Sequence, residues 1–394
     1  MLDQYFDHKA IDFNTLKERA FNQRWAEQEA GVIPLTAADP DFKVAPEITQ
    51  ALNTYISKGY FSYGPALGYE SFKQAVSNWY RLYHRGSFES EDVVGFNSAA
   101  EALDQVAAVI FEQGGEALIP DPVDFLFQTS IERNGGSVQT FGFDLDSGRL
   151  DWSMIEEKAT PNTKAIYICN PNNPAGTAIH SADLALLVEL CRSKGWYLVS
   201  DEIWLDIWYD NTPLESLAAY CDRVSDRFII ISGLSKNFGL AGLRIGYTLC
   251  KHKSINQAII KNSGHHETIG GLSTLSQIAA TTAFNQCGYW LDLFRKHLEA
   301  QRDYLIQRID QMPGFSIRRP VGTYLAFIQL PPLIDESKQC ADIKAKAKVA
   351  LVPGSPRWFG PAAAGHLRLC FATSKETLNE ALDRLALYAA QTFK

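Results

Sequence analysis

AIYICNPNNPAG, Ala165 to Gly176, joins an uninterrupted apolar run to a turn built from asparagine and proline. Five consecutive residues without a polar face read as a strand buried on both sides, and the turn that follows ends it abruptly. Ser181–Lys194 comes next, with Leu184, Leu187, Val188 and Cys191 at helical spacing. Two further apolar runs, Trp196–Ser200 (WYLVS) and Phe228–Ser232 (FIIIS), repeat the strand signal, and Arg244–Cys250 (RIGYTLC) gives a fourth. Strands separated by helices mean βαβ units. The expected fold is therefore α/β, a mainly parallel sheet of the seven-stranded type flanked by helices. In such a sheet the ligand site lies beyond the carboxyl ends of the strands.

Outside this region the pattern changes. Tyr289–Gln311 is helical, Tyr324–Gln329 and His366–Phe371 are short strands, and a last helix begins at Lys375. That switch predicts a smaller α+β domain from residues 286–394, onto which residues 1–45, with Trp25, Ile33 and Leu35, would pack; residues 46–285 form the large domain. The whole chain has 394 residues, enough for two or three domains. With 37 basic and 45 acidic residues its net charge is −8, which disfavours nucleic acid and anionic membrane as partners. Seven scattered cysteines with no C-x-x-C pair argue against a disulfide framework or a zinc site, and no metal is expected. No apolar leader or membrane-length run is present, so the expected location is the cytoplasm.

The residues after each strand carry the chemistry. Asn173 closes the first turn, Asp201 follows the second strand, Gly233-Leu-Ser235-Lys236 the third, and Arg244 lies eight residues beyond Lys236. A lysine amine can form a Schiff base with an aldehyde. A carboxylate keeps a pyridine nitrogen protonated, so that the ring draws electrons. An amide can bond a ring oxygen, and a guanidinium suits a phosphate. An amide, an acid, a lysine and an arginine at one sheet edge describe a site for pyridoxal 5′-phosphate. The P-loop, H-E-x-x-H and G-x-S-x-G motifs are absent, and Gly239-Leu-Ala-Gly242 lacks the dinucleotide pattern.

With those residues in view, the chain resembles the class I/II aminotransferases of fold-type I, from Ala37-Ala-Asp-Pro-Asp-Phe42 to His366–Phe371. Asn170–Gly176 is similar to the family's N-P-x-N-P-x-G, and Ser235-Lys236 with Gly242–Gly246 to its lysine signature. The resemblance implies that Lys236 carries the cofactor, Asp201 pairs its ring nitrogen, Asn173 its ring oxygen, and Ser235 and Arg244 its phosphate. Ser98-Ala99-Ala100 resembles the phosphate-cradling turn at a helix N-terminus. Tyr63 matches the tyrosine that reaches the neighbouring subunit's phosphate, which implies a homodimer with shared sites. Arg368 matches the arginine that grips an α-carboxylate; Ala38 and Asn173 would line the same substrate site. The implied activity is transamination between an α-amino acid and an α-keto acid.

Departures from the family pattern matter. Gly233 stands where Ser or Thr is usual, which removes one phosphate contact. Trp204 replaces a tyrosine, and its indole can only donate. Asp124 falls at the position of the aromatic that stacks on the cofactor, with Phe125 one residue late; Phe125 is expected to stack after a small backbone shift. The A-D-x-D-F form of Ala38–Phe42 resembles the cystathionine β-lyase/C–S lyase branch, which makes β-elimination the alternative activity. A third alternative is a non-catalytic ligand-binding protein on the same scaffold. His265 and His266 fall where dimer partners contribute side-chain contacts to substrate.

Overall fold

The computed structural model describes residues 2–267 and 269–393. In it the apolar runs pair as expected. Among the described residues the strands form three sheets. β1 (Ile33–Pro34) belongs to the smallest. The largest joins β2 (Val93–Phe96), β3 (Glu116–Asp121), β4 (Ser137–Gly142), β5 (Thr163–Cys169), β6 (Tyr197–Asp201), β7 (Phe228–Gly233) and β8 (Gly246–Leu249) in the order β2-β8-β7-β6-β5-β3-β4. β8 runs antiparallel to both neighbours, and the other pairings are parallel. The sheet is thus mainly parallel.

Its strands lack a polar face because both faces are covered. Ile166, Ile168, Leu198 and Ile230 point into one core, with Leu184, Leu187 and Val188 of the helix Ser181–Lys194. Ala165, Tyr167, Val199, Ile229 and Ile231 point into the other, with Leu103, Val106 and Ile110 of the helix Ala99–Ile110. Side-chain alternation thus sends every second residue to each core, and polar groups are left for the strand ends.

Toward the C-terminus, β9 (Ser316–Ile317), β10 (Leu325–Gln329), β11 (Val349–Ala350), β12 (Val352–Pro353) and β13 (His366–Cys370) follow. The order β12-β13-β10-β9 makes an antiparallel four-stranded sheet, while β11 pairs in parallel with β1. The N-terminal segment is fastened here again by Cys370 N–H to Leu35 O (2.9 Å) and by the contact of His8 Nδ1 with Ser374 Oγ (2.8 Å). The 22-residue helix Gly288–Ile309 packs against Lys375–Thr392.

Two glycines set the approach of β7, β8 and the helix Ala99–Ile110. A Cβ on Gly246 would lie 2.1 Å from the Ser98 carbonyl carbon, and one on Gly233 would lie 2.4 Å from Ile245 O. The close approach explains why a side chain is missing at position 233: it would strike the neighbouring strand's backbone. Gly246→Ala should cost about 1–3 kcal/mol or more, as overpacking does, whereas Gly242→Ala, which meets nothing within 4 Å, should be close to neutral. Urea denaturation of the two variants checks this contrast.

Candidate active site

The carboxyl ends of β5, β6 and β7 bring Asn173, Asp201 and Lys236 to one edge of the sheet. Register does this: Cys169 lies beside Asp201, and Asp201 beside Ile231, so the segments after the strands emerge together.

Lys236 donates from Nζ to Ala38 O at 2.7 Å and lies 5.3 Å from the centroid of the Trp204 ring. Tyr324 donates from its hydroxyl to the same carbonyl at 3.2 Å and packs edge-on against Trp204. Burial holds the Lys236 ammonium below the ordinary lysine range; Asp39 opposes this and Arg368 adds to it. The segment that follows Ala38 is anchored at Asp41, whose carboxylate accepts from Arg24 and, at 2.8 Å, from Trp25 Nε1, and whose N–H donates to Ala372 O.

Arg368, on β13, donates to Asn173 Oδ1 at 3.0 Å and to Thr36 O at 3.1 Å, over the Phe359 ring. Its Nε is buried without an acceptor. Asn173 in turn donates to Asp124 Oδ2 at 2.8 Å. A chain of two hydrogen bonds therefore links an arginine of the small sheet to a carboxylate of the large one. Burial raises the Asp124 carboxyl above the usual range and lowers the Arg368 guanidinium.

Asp201 accepts a hydrogen bond from Ile203 N (3.0 Å) and makes no direct ion pair among the described residues, although the Lys236 charge acts on it. Burial, reinforced by the nearby charges of Asp124 and Glu202, pushes its pKa up to about 7. A carboxylate so placed is suited to a ligand cation.

Ser98 caps the helix Ala99–Ile110, its Oγ accepting from Glu101 N at 3.0 Å. The N–H groups of Ala99 and Ala100 have no acceptor among the described residues, as an anion site requires. Gly246 touches that helix start, and Arg244 precedes it by two residues in the left-handed conformation, φ 54°. Arg244 is exposed and has no carboxylate partner among the described residues. Ser235 is half-buried beside Lys236.

Three expectations need correction. Phe125 does not turn toward Lys236: its N–H bonds Trp358 O at 2.9 Å and its ring packs against Trp358. Asp124 takes the inward place, because its carboxylate accepts from Leu126 N and Asn173 together. Trp204 offers Lys236 the face of its ring. His265 is a buried structural histidine whose ring nitrogens contact Ser263 Oγ (2.6 Å) and Gly95 O (2.7 Å), while His266 is exposed. Tyr63 is 95% exposed and joins none of the contacts of the site within its own chain. Asp39, Thr36, Tyr324 and Phe359 had no assigned role in the sequence. Asp39 and Thr36 lie in or beside the quoted Ala37–Phe42 motif; nothing local marks Tyr324 or Phe359.

The family model for aminotransferase class I and II matches residues 30–385. The chain belongs to this family. This aminotransferase is 28% identical over 365 residues to the aspartate aminotransferase of Bacillus subtilis (strain 168), covering 90% of each chain. It is 27% identical over 365 residues to the aspartate/prephenate aminotransferase of Thermus thermophilus, covering 91% of each. An alanine aminotransferase structure from Pyrococcus furiosus superposes with a TM-score of 0.84 at 25% identity, covering 91% of this chain and 92% of that one. The aminotransferase is a pyridoxal-phosphate-dependent transferase. Its residues fit that cofactor: an amine, a carboxylate without a direct ion pair, free N–H groups at a helix start and an unpaired arginine converge. The β-elimination alternative gains no support from these relatives.

With Asp201 raised from 3.8 to about 7, the folded cofactor-free protein binds more protons than the unfolded chain between those values. This group therefore lowers stability as pH rises through that window. Asp201→Asn should gain stability relative to the parent from about pH 4 to about pH 7. Thermal melts across that range check it; a constant difference would contradict the raised value.

Proposed function

We propose that the aminotransferase moves an amino group between an α-amino acid and an α-keto acid through Lys236, with Arg368 holding the α-carboxylate. The observation that carries this reading is the buried Lys236 amine, 2.7 Å from Ala38 O and close enough to Arg368 to feel its charge. Pyridoxal phosphate, when bound, supplies an aldehyde for the amino group and a ring that withdraws the electron pair left on Cα.

The chain's own groups do the rest. Lys236 holds the cofactor and, once released, takes the Cα proton; its lowered proton affinity favours the free amine that this needs. Asp201 bonds the ring nitrogen and Asn173 the ring oxygen. The N–H groups of Ala99 and Ala100, with Ser98, Ser235 and Arg244, hold the phosphate, and Tyr63 serves the site of a partner copy. Arg368 offers its buried Nε and outer N–H groups to a carboxylate, while Asn173 and Thr36 fix its plane. Ala38 bounds the substrate space. Trp204 packs beneath the lysine, and Phe125 supports the rim through Trp358.

The exposed aromatics Tyr60 (79%), Phe61 (65%) and Tyr63 (95%) support a homodimer whose sites are shared. Residues 1–45 and 286–394 form the small domain and 46–285 the large one, a division supported by the pairing of β1 with β11. Seven buried, unpaired cysteines support a reducing, cytoplasmic location.

A substrate screen tests the reaction class. Aspartate and alanine, the substrates named for the relatives, should each convert the bound cofactor to its amine form once and require a keto acid for turnover. Multiple-turnover pyruvate release from cystathionine without a keto acid would establish the lyase instead. Arg368→Lys, which removes the two-pronged grip, should lower kcat/KM by roughly 10–100-fold, the loss of charge-assisted bonds worth about 1.5–3 kcal/mol.

A further inference from the structure

Asp206 lies in the turn that follows β6, five residues beyond Asp201, with only 8% of its surface exposed. Its carboxylate accepts three hydrogen bonds from two parts of the chain. Oδ1 accepts from Trp79 Nε1 at 3.1 Å and contacts His84 Nε2 at 2.9 Å, at the end of the helix Glu70–Tyr83. Oδ2 accepts from Asn237 Nδ2 at 2.7 Å. Its backbone carbonyl accepts from Arg295 Nη1 (3.1 Å) of the helix Gly288–Ile309. None of these groups touches Ala38, Asn173 or Arg368, and the proposed mechanism uses none of them.

Their importance comes from the turn that carries the lysine. The turn Ser235–Gly239 has no regular ladder of its own; its flanks are tied by Leu234 N–H to Ile245 O (3.3 Å) and Leu240 N–H to Leu234 O (3.1 Å). Two side-chain hydrogen bonds reach from the turn to other segments, Lys236 to Ala38 O and Asn237 to Asp206, beside the apolar packing of the Phe238 ring on Trp79, Phe284 and Trp290. The first must break each time the amine engages the cofactor or a proton. The second does not, and Asn237 is doubly held, since its Oδ1 also accepts from Phe238 N at 2.9 Å.

We propose that Asp206 is a positioning residue for Lys236, holding the lysine turn through Asn237 while the amine changes partners. A carboxylate suits the task because it only accepts, so three donors can converge on it; an amide in its place would turn a donor toward one of them. Burial leaves no water to replace a lost bond. The inference rests on Lys236 being the reactive amine.

The test uses the full chain, with cofactor and without. Asp206→Asn and Asn237→Ala should each lower kcat by up to about a hundredfold, the scale of a misplacement near 1 Å, with KM little changed. The double variant should lose no more than the worse single one, since both break one link. In cofactor-free protein, acetic anhydride should label Lys236 severalfold faster in either variant, because the amine is no longer held. Arg295→Met, which removes the donor to the Asp206 carbonyl and leaves the Asp206–Asn237 bond in place, should lower Tm without changing the labelling. Parent-like kcat and labelling in Asn237→Ala, or additive losses in the double variant, would overturn the proposal. Asn237→Ala decides the matter even where Asp206→Asn does not fold, since Asp206 keeps its other partners. If the parent itself never joins the cofactor at Lys236, the reading of the lysine falls and this inference with it.

Discussion

The register of three parallel strands is the constraint on which the rest of the molecule depends. β5, β6 and β7 are buried on both faces, so none can carry a charge along its length without burying it unpaired. Polar chemistry gathers at and just past their carboxyl ends, and pairing in register brings those residues to one edge. A one-residue slip of β6 would carry Asp201 out of line with Cys169 and exchange Val199 and Leu198 between the two cores. Packing thus fixes the site more firmly than any bond within it.

What converges there is electrostatically expensive. Asp39, Asp124, Asp201, Lys236 and Arg368 form a chain of groups that act on one another's charge, and burial weakens the charged form of each: Asp39, Asp124 and Asp201 upward, Lys236 and Arg368 downward. Groups selected only for stability rarely accumulate in this way. The hydrogen-bonded chain from Arg368 through Asn173 to Asp124 ties the C-terminal sheet to the loops at the edge of the large one, so the groups proposed to grip substrate and to contact cofactor share one set of side chains. Gly233 and Gly246 are the steric counterpart, letting the helix start at Ala99 approach β8 within backbone contact.

The strand and helix pattern was legible because burial on both faces writes itself as apolar runs of fixed length, as in FIIIS, and because asparagine–proline turns stop them. Single-residue orientation was not. Phe125 and Asp124 are neighbours, and which one turns inward depends on hydrogen bonds to Trp358 and Asn173, residues 233 and 49 positions away in sequence. His265 reads as a side chain turned toward substrate, yet Ser263 and Gly95 occupy both its nitrogens. Tyr324 and Phe359 enter the site from the C-terminal segment by tertiary packing alone. Local patterns report periodicity; they do not report what a distant backbone will donate or accept.

The central claim is that this edge of the sheet holds pyridoxal phosphate between Lys236 and Asp201. A crystal structure of the protein grown with the cofactor tests it most directly. Continuous density should run from Lys236 Nζ into the cofactor, with the Asp201 carboxylate at hydrogen-bond distance from the ring nitrogen and the phosphate at the N–H groups of Ala99 and Ala100. Density joined to another lysine, or a ring nitrogen facing away from Asp201, would contradict it.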